Sequence, residues 1–413
     1  MALIHGYLGF SRMKILFITP HFPWSGVTGG LSLVYQKIVR LADRGHRVGL
    51  VSFIRPDEIV DPNDPVFCKV IEHHTIPRPK TASVPVKLLR RAYSSTPSYF
   101  RGYWSEAMSR KVGDTVEAGN YELVIAEFSG MGHHIVGNPY LPAVRKIISS
   151  HFNVAKSTQT AAMALGWSPY GIRLRSSIQR LMRYELNLYR NVDRVVVMTA
   201  HERYQLLDED PSLRVSIVPC GVDSTYFKPD PAVEREEAIV FTGFYVVESN
   251  VDAVLWFASK CWPILKKRRP HLKFYVVGPY APDKVLALGR RDKSIIVTGA
   301  VKDVRTYLQR AKVYVCPVRQ GSGLRFKLFE VMASGTSLVT TTLGGEGIPL
   351  QNGDNCFMAD KMEIMADCID LLLDDDQLRQ TMGRQARELV TTRFNWDRGI
   401  TMLEDVMHNV FNY

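Results

Sequence analysis

The sequence predicts an α/β chain built as two doubly wound halves that face each other across a cleft, and three observations carry that prediction. Short apolar runs of strand length alternate with helical patterns, which indicates parallel sheets covered on both faces. The rhythm stops near residues 220–236, where Pro229, Pro231 and the charged run Glu234–Glu237 intervene, and then restarts with a new first strand. At 413 residues the chain is also too long for one ordinary core. The expected division is a peripheral extension 1–12, an N-terminal Rossmann-like half 13–220, a linker 221–236, a C-terminal Rossmann-like half 237–395, and a last helix 396–413 that either half could hold.

The first half opens on KILFIT (Lys14–Thr19), followed by Pro20 and Pro23 and by the glycine loop Gly26-Val27-Thr28-Gly29-Gly30. A helix is expected from about Leu31 to Arg44, ended by Gly45, with Arg47–Phe53 as the next strand. Further strands are expected at Leu123–Glu127, Lys146–Ser150, Arg194–Met198 and Val215–Val218. The second half should start with AIVFT (Ala238–Thr242) ending at Gly243, continue as one helix over about Asn250–Arg269, and supply strands at Lys273–Val277, Ile295–Thr298, Val313–Val315 and Ser337–Thr341. Loops at the carboxyl ends of such strands are where open α/β sheets bind ligands, and domain interfaces are common pocket sites.

Composition narrows the class. With 46% hydrophobic and 23% charged residues the chain reads as an ordinary globular protein, and no apolar run reaches the ~18–20 residues of a membrane span. The first twelve residues lack a cationic segment and a long apolar one, so no signal peptide is expected. Six cysteines without a CxxC pair read as reduced thiols of a cytoplasmic protein. The formal charge of +11 favours anionic partners without choosing among them.

The segment most informative about chemistry is PVRQGSGLRFKLFEVMASG, Pro317–Gly335. Gly321 and Gly323 let the backbone take positive φ and let a ligand approach. The following helix presents unpaired N–H groups and a positive dipole end to an anion. Arg325 and Lys327 add cations suited to phosphate, and Glu330, about a turn later, is placed to accept hydrogen bonds from hydroxyls. The pattern suits a nucleoside diphosphate.

Other features admit plainer readings. Gly26–Gly30 is either a ligand-facing turn or a flexible connection, and it is neither a G-x-G-x-x-G fingerprint nor a P-loop. Ser129–His134 (SGMGHH) lacks the third glycine of a dinucleotide site and reads as a substrate-facing loop; its two adjacent histidines do not suggest a metal site. His151 and Asn153 follow a strand and are placed for the cleft. Asp208–Asp210 and Asp374–Asp376 read as solvated turn acids. The span 80–111 holds seven basic residues against one acid, with Tyr93, Tyr99, Phe100, Tyr103 and Trp104 interleaved. Arg173, Arg175, Arg180, Arg183 and Arg190 mark a second basic stretch. Lipid contact, an anionic acceptor channel and a solvated face all fit these two segments; nucleic acid is not expected, since no recognised module accompanies them.

The Pro317–Gly335 segment, Gly344-Gly345-Glu346-Gly347, the tail TTRFNW (Thr391–Trp396), KILFITPHFPWSGVTGG, LADRGHRVGLV and VPCGVDSTYFKP together resemble GT-B retaining glycosyltransferases of the family 4 type, from Met13 almost to the end. The resemblance implies a GT-B architecture and metal-independent transfer, with retention, from a nucleoside-diphosphate sugar (a UDP-sugar being favoured) to a hydroxyl of a glycan, glycolipid or protein. It implies donor contacts from Gly29, Gly30, Gly243, Gly321, Ser322, Gly323, Leu324, Glu330, Gly345, Glu346 and Gly347, and catalytic roles for His151, Arg325 and Lys327. No cofactor or metal is expected beside the sugar-nucleotide co-substrate. The chain departs from the family pattern in three places. Cys220 stands where asparagine is usual. Ser322 stands where the first glutamate of E-x7-E would fall. FYVVESNVDA follows Gly243 in place of the usual phosphate-binding Arg and Lys, a loss that Arg325 and Lys327 would compensate. A sugar-nucleotide 2-epimerase of the same fold, or an inactive sugar-nucleotide binding protein, are the rival readings. Location in the cytoplasm, with peripheral membrane contact through 80–111, completes the expectation.

Overall fold

The structure, a computed structural model, describes residues 12–24, 30–55, 60–79 and 96–412. The extension 1–12 (except Arg12), Gly29, and residues 80–95 of the basic span therefore lie outside the described residues.

The first sheet comprises β1 (Lys14–Thr19), β2 (Arg47–Ile54), β3 (Val70–Pro77), β4 (Leu123–Glu127), β5 (Arg145–Ser149), β6 (Arg194–Val197) and β7 (Val215–Ile217). The second comprises β8 (Glu236–Thr242), β9 (Lys273–Val277), β10 (Ile295–Gly299), β11 (Ala311–Cys316), β12 (Ser337–Thr340) and β13 (Phe357–Met358). Both are parallel, in the orders β3-β2-β1-β4-β5-β6-β7 and β10-β9-β8-β11-β12-β13. The chain reverses its winding between β1 and β4 and between β8 and β11, and ligands of doubly wound sheets bind at such switch points. Central strands such as Lys14–Thr19 are buried on both faces, which is why they read as unbroken apolar runs.

Two elements differ from expectation. β3 was not anticipated, because it is a sheet-edge strand whose side chains alternate between half-buried and exposed and whose sequence VIEHHTIP carries too few apolar residues to stand out. The single helix expected over Asn250–Arg269 is two, Glu248–Lys260 and Trp262–Arg268. Pro263 lacks the N–H that would continue the ladder, so the axis restarts at Trp262.

The last helix, Trp396–Asn409, packs on the first half. Its Ile400, Leu403 and Met407 share a core with Phe17, Ile38 and Leu41, each such burial contributing about 1.5–3 kcal/mol. Glu404 on the same helix is buried and meets Arg44 at 2.5 Å and His46 at 3.1 Å. The chain thus crosses back from the second half to close on the first.

Candidate functional site

The loop after β11 is pinned at its start by Arg319, which donates to Asp252 at 2.8 Å. Gly321 and Gly323 take φ of +105° and +83°, a region that side chains other than glycine rarely adopt. Gly323 also lies against the other half: a Cβ there would stand 2.7 Å from the His151 carbonyl oxygen. The helix that follows, Phe326–Ala333, starts without a side-chain cap, so its first N–H groups remain available to an anion.

Arg325 turns one guanidinium nitrogen back to the carbonyls of Ser322 and Gly323, while its Nη2 is buried without a partner. Lys327 donates to the Thr242 carbonyl at 2.9 Å and to Asn250 Oδ1 at 2.8 Å, and its Nζ lies 3.9 Å from the centre of the Phe241 ring. Lys327 thereby ties the site helix to the end of β8. Burial lowers its pKa to about 8, with Arg325 acting in the same sense. The Glu330 side chain makes no hydrogen bond or ion pair among the described residues, and burial raises its pKa to about 7.

The halves touch at this loop. Ser322 Oγ donates to the Asn153 carbonyl at 2.8 Å, and the Gly321 N–H donates to Thr160 Oγ1 at 2.8 Å. Glu346 pairs with Lys156 at 2.6 Å, its second oxygen buried without a partner. Leu324 is buried against Gly347, which sits beside Thr199. Asn153, Thr199, His201, Glu202, Ser322 and Glu346 line one concavity between the halves. Gly345 packs under Leu350, and Gly243 sits beside Asn250 at the end of β8.

On the opposite wall His151 is buried, two residues past β5. Its Nε2 lies 2.6 Å from Glu127 Oε2, and Glu127 accepts from Lys37 Nζ at 2.9 Å. Lys37 also donates to Ser149 Oγ at 2.8 Å. Burial alone would raise the Glu127 pKa; Lys37 and His151 overcome that and hold it near 2. Burial meanwhile lowers the pKa of His151. An ionised Glu127 can only accept, so Nε2 of a neutral His151 carries the proton and Nδ1 is left as an acceptor. That Nδ1 is buried, unpartnered, and would stand 3.3 Å from a Cβ on Gly30. Phe128, the residue after Glu127, holds φ of +69° and stacks on His151 at 3.9 Å. Such a backbone costs about 1–3 kcal/mol and persists where surrounding packing demands it.

Lys37 and Glu127 were not singled out from sequence. The available signals were a lysine in register with the apolar stripe Val34, Ile38 and Leu41, and a carboxylate ending an apolar strand. Contrary to the expectation of a substrate-facing SGMGHH loop, Ser129–His134 is buried. His134 is held by Ser109 Oγ and the Tyr103 carbonyl, both at 2.8 Å, and burial lowers its pKa to about 3. The two acidic turns are structural, Asp210 holding Ser212 and Arg190, and Asp375 capping the helix Asp376–Arg393. Among the described residues no three His, Cys, Asp or Glu side chains gather as a metal site would require. In the described part of the basic span, 96–111, Phe100, Tyr99 and Tyr103 pack inward with Phe152, which leaves Trp104 as the exposed aromatic there. That inward packing removes most of the apolar surface on which a lipid contact at 96–111 would rest.

The fold and site together define a protein of GT-B architecture: two parallel sheets opposed across a cleft, with a glycine loop, two cations and a carboxylate on one wall. A model described as Glycosyltransferase Family 4 matches residues 27–226, and one described as Glycosyl transferases group 1 matches 236–375. The chain belongs to this family of group 1, family 4 glycosyltransferases. The phosphatidyl-myo-inositol mannosyltransferase of Mycolicibacterium smegmatis is 30% identical over 188 residues, covering 43% of this chain and 48% of that protein. The N-acetyl-alpha-D-glucosaminyl L-malate synthase of Bacillus anthracis is 28% identical over 204 residues, covering 46% and 50%. The chain spans about half the length of these curated relatives. In fold it resembles sucrose-phosphate synthase from Thermosynechococcus elongatus, with TM-score 0.71 and 19% identity over 97% of this chain and 100% of that one. It also resembles Anabaena HepE in complex with UDP and glucose, with TM-score 0.70 and 14% identity over 96% and 100%.

One pH effect follows from the geometry. A phosphate held at Lys327 would bind its charged form better, so binding would oppose its deprotonation. Nucleoside diphosphate affinity is therefore expected to weaken as pH rises above about 8, by up to tenfold per pH unit. Calorimetry across that range checks this. Lys327→Arg, which stays charged, should abolish the fall; an identical profile in that variant would exclude Lys327 as its source.

Proposed function

We propose that this chain is a metal-independent, retaining glycosyltransferase that moves a sugar from a nucleoside-diphosphate sugar, a UDP-sugar by preference, to a hydroxyl acceptor on a glycan, glycolipid or protein. The observation that carries the reading is a set of unanswered polar groups around one cleft. Arg325 Nη2, His151 Nδ1 and Glu346 Oε2 are all buried without a partner, and buried polar groups are otherwise almost always paired. A diphosphate would answer Arg325 and the uncapped helix, ribose hydroxyls would answer Glu330, and sugar hydroxyls would answer His151 Nδ1 and Glu346.

The chemistry follows from that placement. The acceptor oxygen attacks the anomeric carbon on the face the diphosphate leaves, the sugar–phosphate C–O bond breaks, and the acceptor's proton passes to a departing phosphate oxygen. Arg325, Lys327 and the helix N-terminus stabilise the charge that develops on the leaving group, which is where preorganised electrostatics contribute most. Contacts between the halves at Ser322–Asn153 and Gly321–Thr160 would exclude water once donor is bound.

The test is incubation with UDP-sugars and other nucleoside-diphosphate sugars, with and without hydroxyl acceptors, following nucleoside diphosphate release and product anomer. Acceptor-dependent release, insensitive to chelator and giving a product of retained configuration, is expected. An epimeric sugar nucleotide formed from donor alone would replace this reading with the 2-epimerase. Donor binding without turnover on any acceptor would replace it with a binding protein.

A further inference from the structure

The helix Val154–Ala164 begins in the cleft at Asn153 and ends in a knob that the sugar-transfer reading does not use. Between Met163 and Ile172 lies the longest run of exposed large apolar side chains among the described residues: Met163 63%, Leu165 40%, Trp167 82%, Tyr170 58% and Ile172 51% exposed. The knob is a built structure. Ser168 caps the short helix Pro169–Arg175, and Gly171 packs so closely on the Gly166 carbonyl that no Cβ would fit. Arg175 donates to that carbonyl at 2.6 Å and lays its guanidinium 4.7 Å from the centre of the Trp167 ring. Trp167 is thus held outward from behind rather than folded onto the core.

The charge around it has one sign. From Val154 to Tyr184 the chain carries Lys156, Arg173, Arg175, Arg180 and Arg183 and no aspartate or glutamate. Arg173 and Arg183 are exposed and make no ion pair among the described residues. An apolar tip bearing tryptophan and tyrosine, backed by arginines without counter-charge, matches the layering of an anionic bilayer surface, where amphipathic rings sit at headgroup level and cations meet phosphate. A convex knob offers no pocket for a small ligand.

We propose that Met163–Ile172, with Arg173 and Arg183, docks this chain on an anionic phospholipid surface. Thr160, one turn before Met163, accepts from the Gly321 N–H and donates to the Gly321 carbonyl in the cleft, so the docked surface lies beside the site and would present lipid-borne hydroxyls to it. Only this last use rests on the proposed sugar transfer; the docking itself does not.

Sedimentation of the full chain with vesicles of phosphatidylcholine, with and without phosphatidylglycerol, tests it. Binding is expected to the phosphatidylglycerol vesicles, to weaken at high salt, and to drop roughly tenfold or more in Trp167→Ser/Tyr170→Ser and in Arg173→Gln/Arg183→Gln. All four positions are exposed, so an unchanged Tm in both variants is expected alongside. A chain that stays in solution, equal binding to phosphatidylcholine alone, variants that sediment like the parent, or vesicle-independent self-association abolished by the same changes would each overturn the proposal. No sugar donor is present in the experiment, so vesicle binding is read independently of transfer, and a negative result in the separate donor and acceptor assay would sink the proposed function and leave the docking standing.

Discussion

Replacing Arg325 and Lys327 together by alanine is expected to weaken nucleoside diphosphate binding by about 10²–10⁴-fold. Hydrogen bonds to charged partners are worth about 1.5–3 kcal/mol each, and every 1.4 kcal/mol is a factor of ten in Kd. Arg325 Nη2 has no partner in the described structure and stands to gain most from a phosphate. Lys327 already answers Thr242 and Asn250, so its removal also loosens the site helix from β8. The two effects separate by comparison with a nucleoside lacking phosphates. Calorimetry should show the loss for the diphosphate and a much smaller one for the nucleoside. Equal losses for both would mean that the pair holds the loop in shape and does not read phosphate.

The second large effect concerns a residue on the other wall that touches no substrate. Glu127→Gln is expected to lower kcat/KM for the donor by about 10–10²-fold, because a glutamine amide no longer dictates which ring nitrogen of His151 carries the proton and a donor sugar hydroxyl loses its acceptor. Leaving Lys37 buried without its counter-charge should also cost about 3–5 kcal/mol of stability. Adding Lys37→Met restores neutrality to the pocket, so the double variant should recover much of the Tm while kcat/KM stays low. Recovery of kcat/KM along with Tm would make the Lys37–Glu127 pair a structural device, and His151 would lose its assigned role as an oriented acceptor.

Much of the architecture was legible because it is written in local patterns. Strands such as KILFIT, AIVFT and KVYVC are buried on both faces, so each is a continuous apolar run. The linker announces itself through prolines and charge, and the second half restarts the same rhythm. β3 escaped notice because an edge strand needs little burial, and Pro263 splits a helix whose periodicity on either side runs on unchanged. The glycine loop and its helix were legible for a related reason: Gly321, Gly323, Arg325, Lys327 and Glu330 are close in sequence, so spacing alone places them together.

The opposite wall was not legible in that way. Lys37 and Glu127 are separated by 90 residues, and Lys37 and Ser149 by 112; only the parallel pairing of β1, β4 and β5 brings them beneath His151. The fate of the last helix is of the same kind, since its amphipathic face fits either half and the choice falls to the cavity over Phe17, Ile38 and Leu41. By itself the sequence determined two doubly wound halves, a linker, and a phosphate-suited loop with its cations and carboxylate, all features set by neighbours within a few turns of chain. The tertiary structure alone decided which buried charges meet, which atoms of Arg325 and His151 are left without partners, and which aromatic residues stay outside. Those depend on contacts between distant segments, whose energy no local pattern carries.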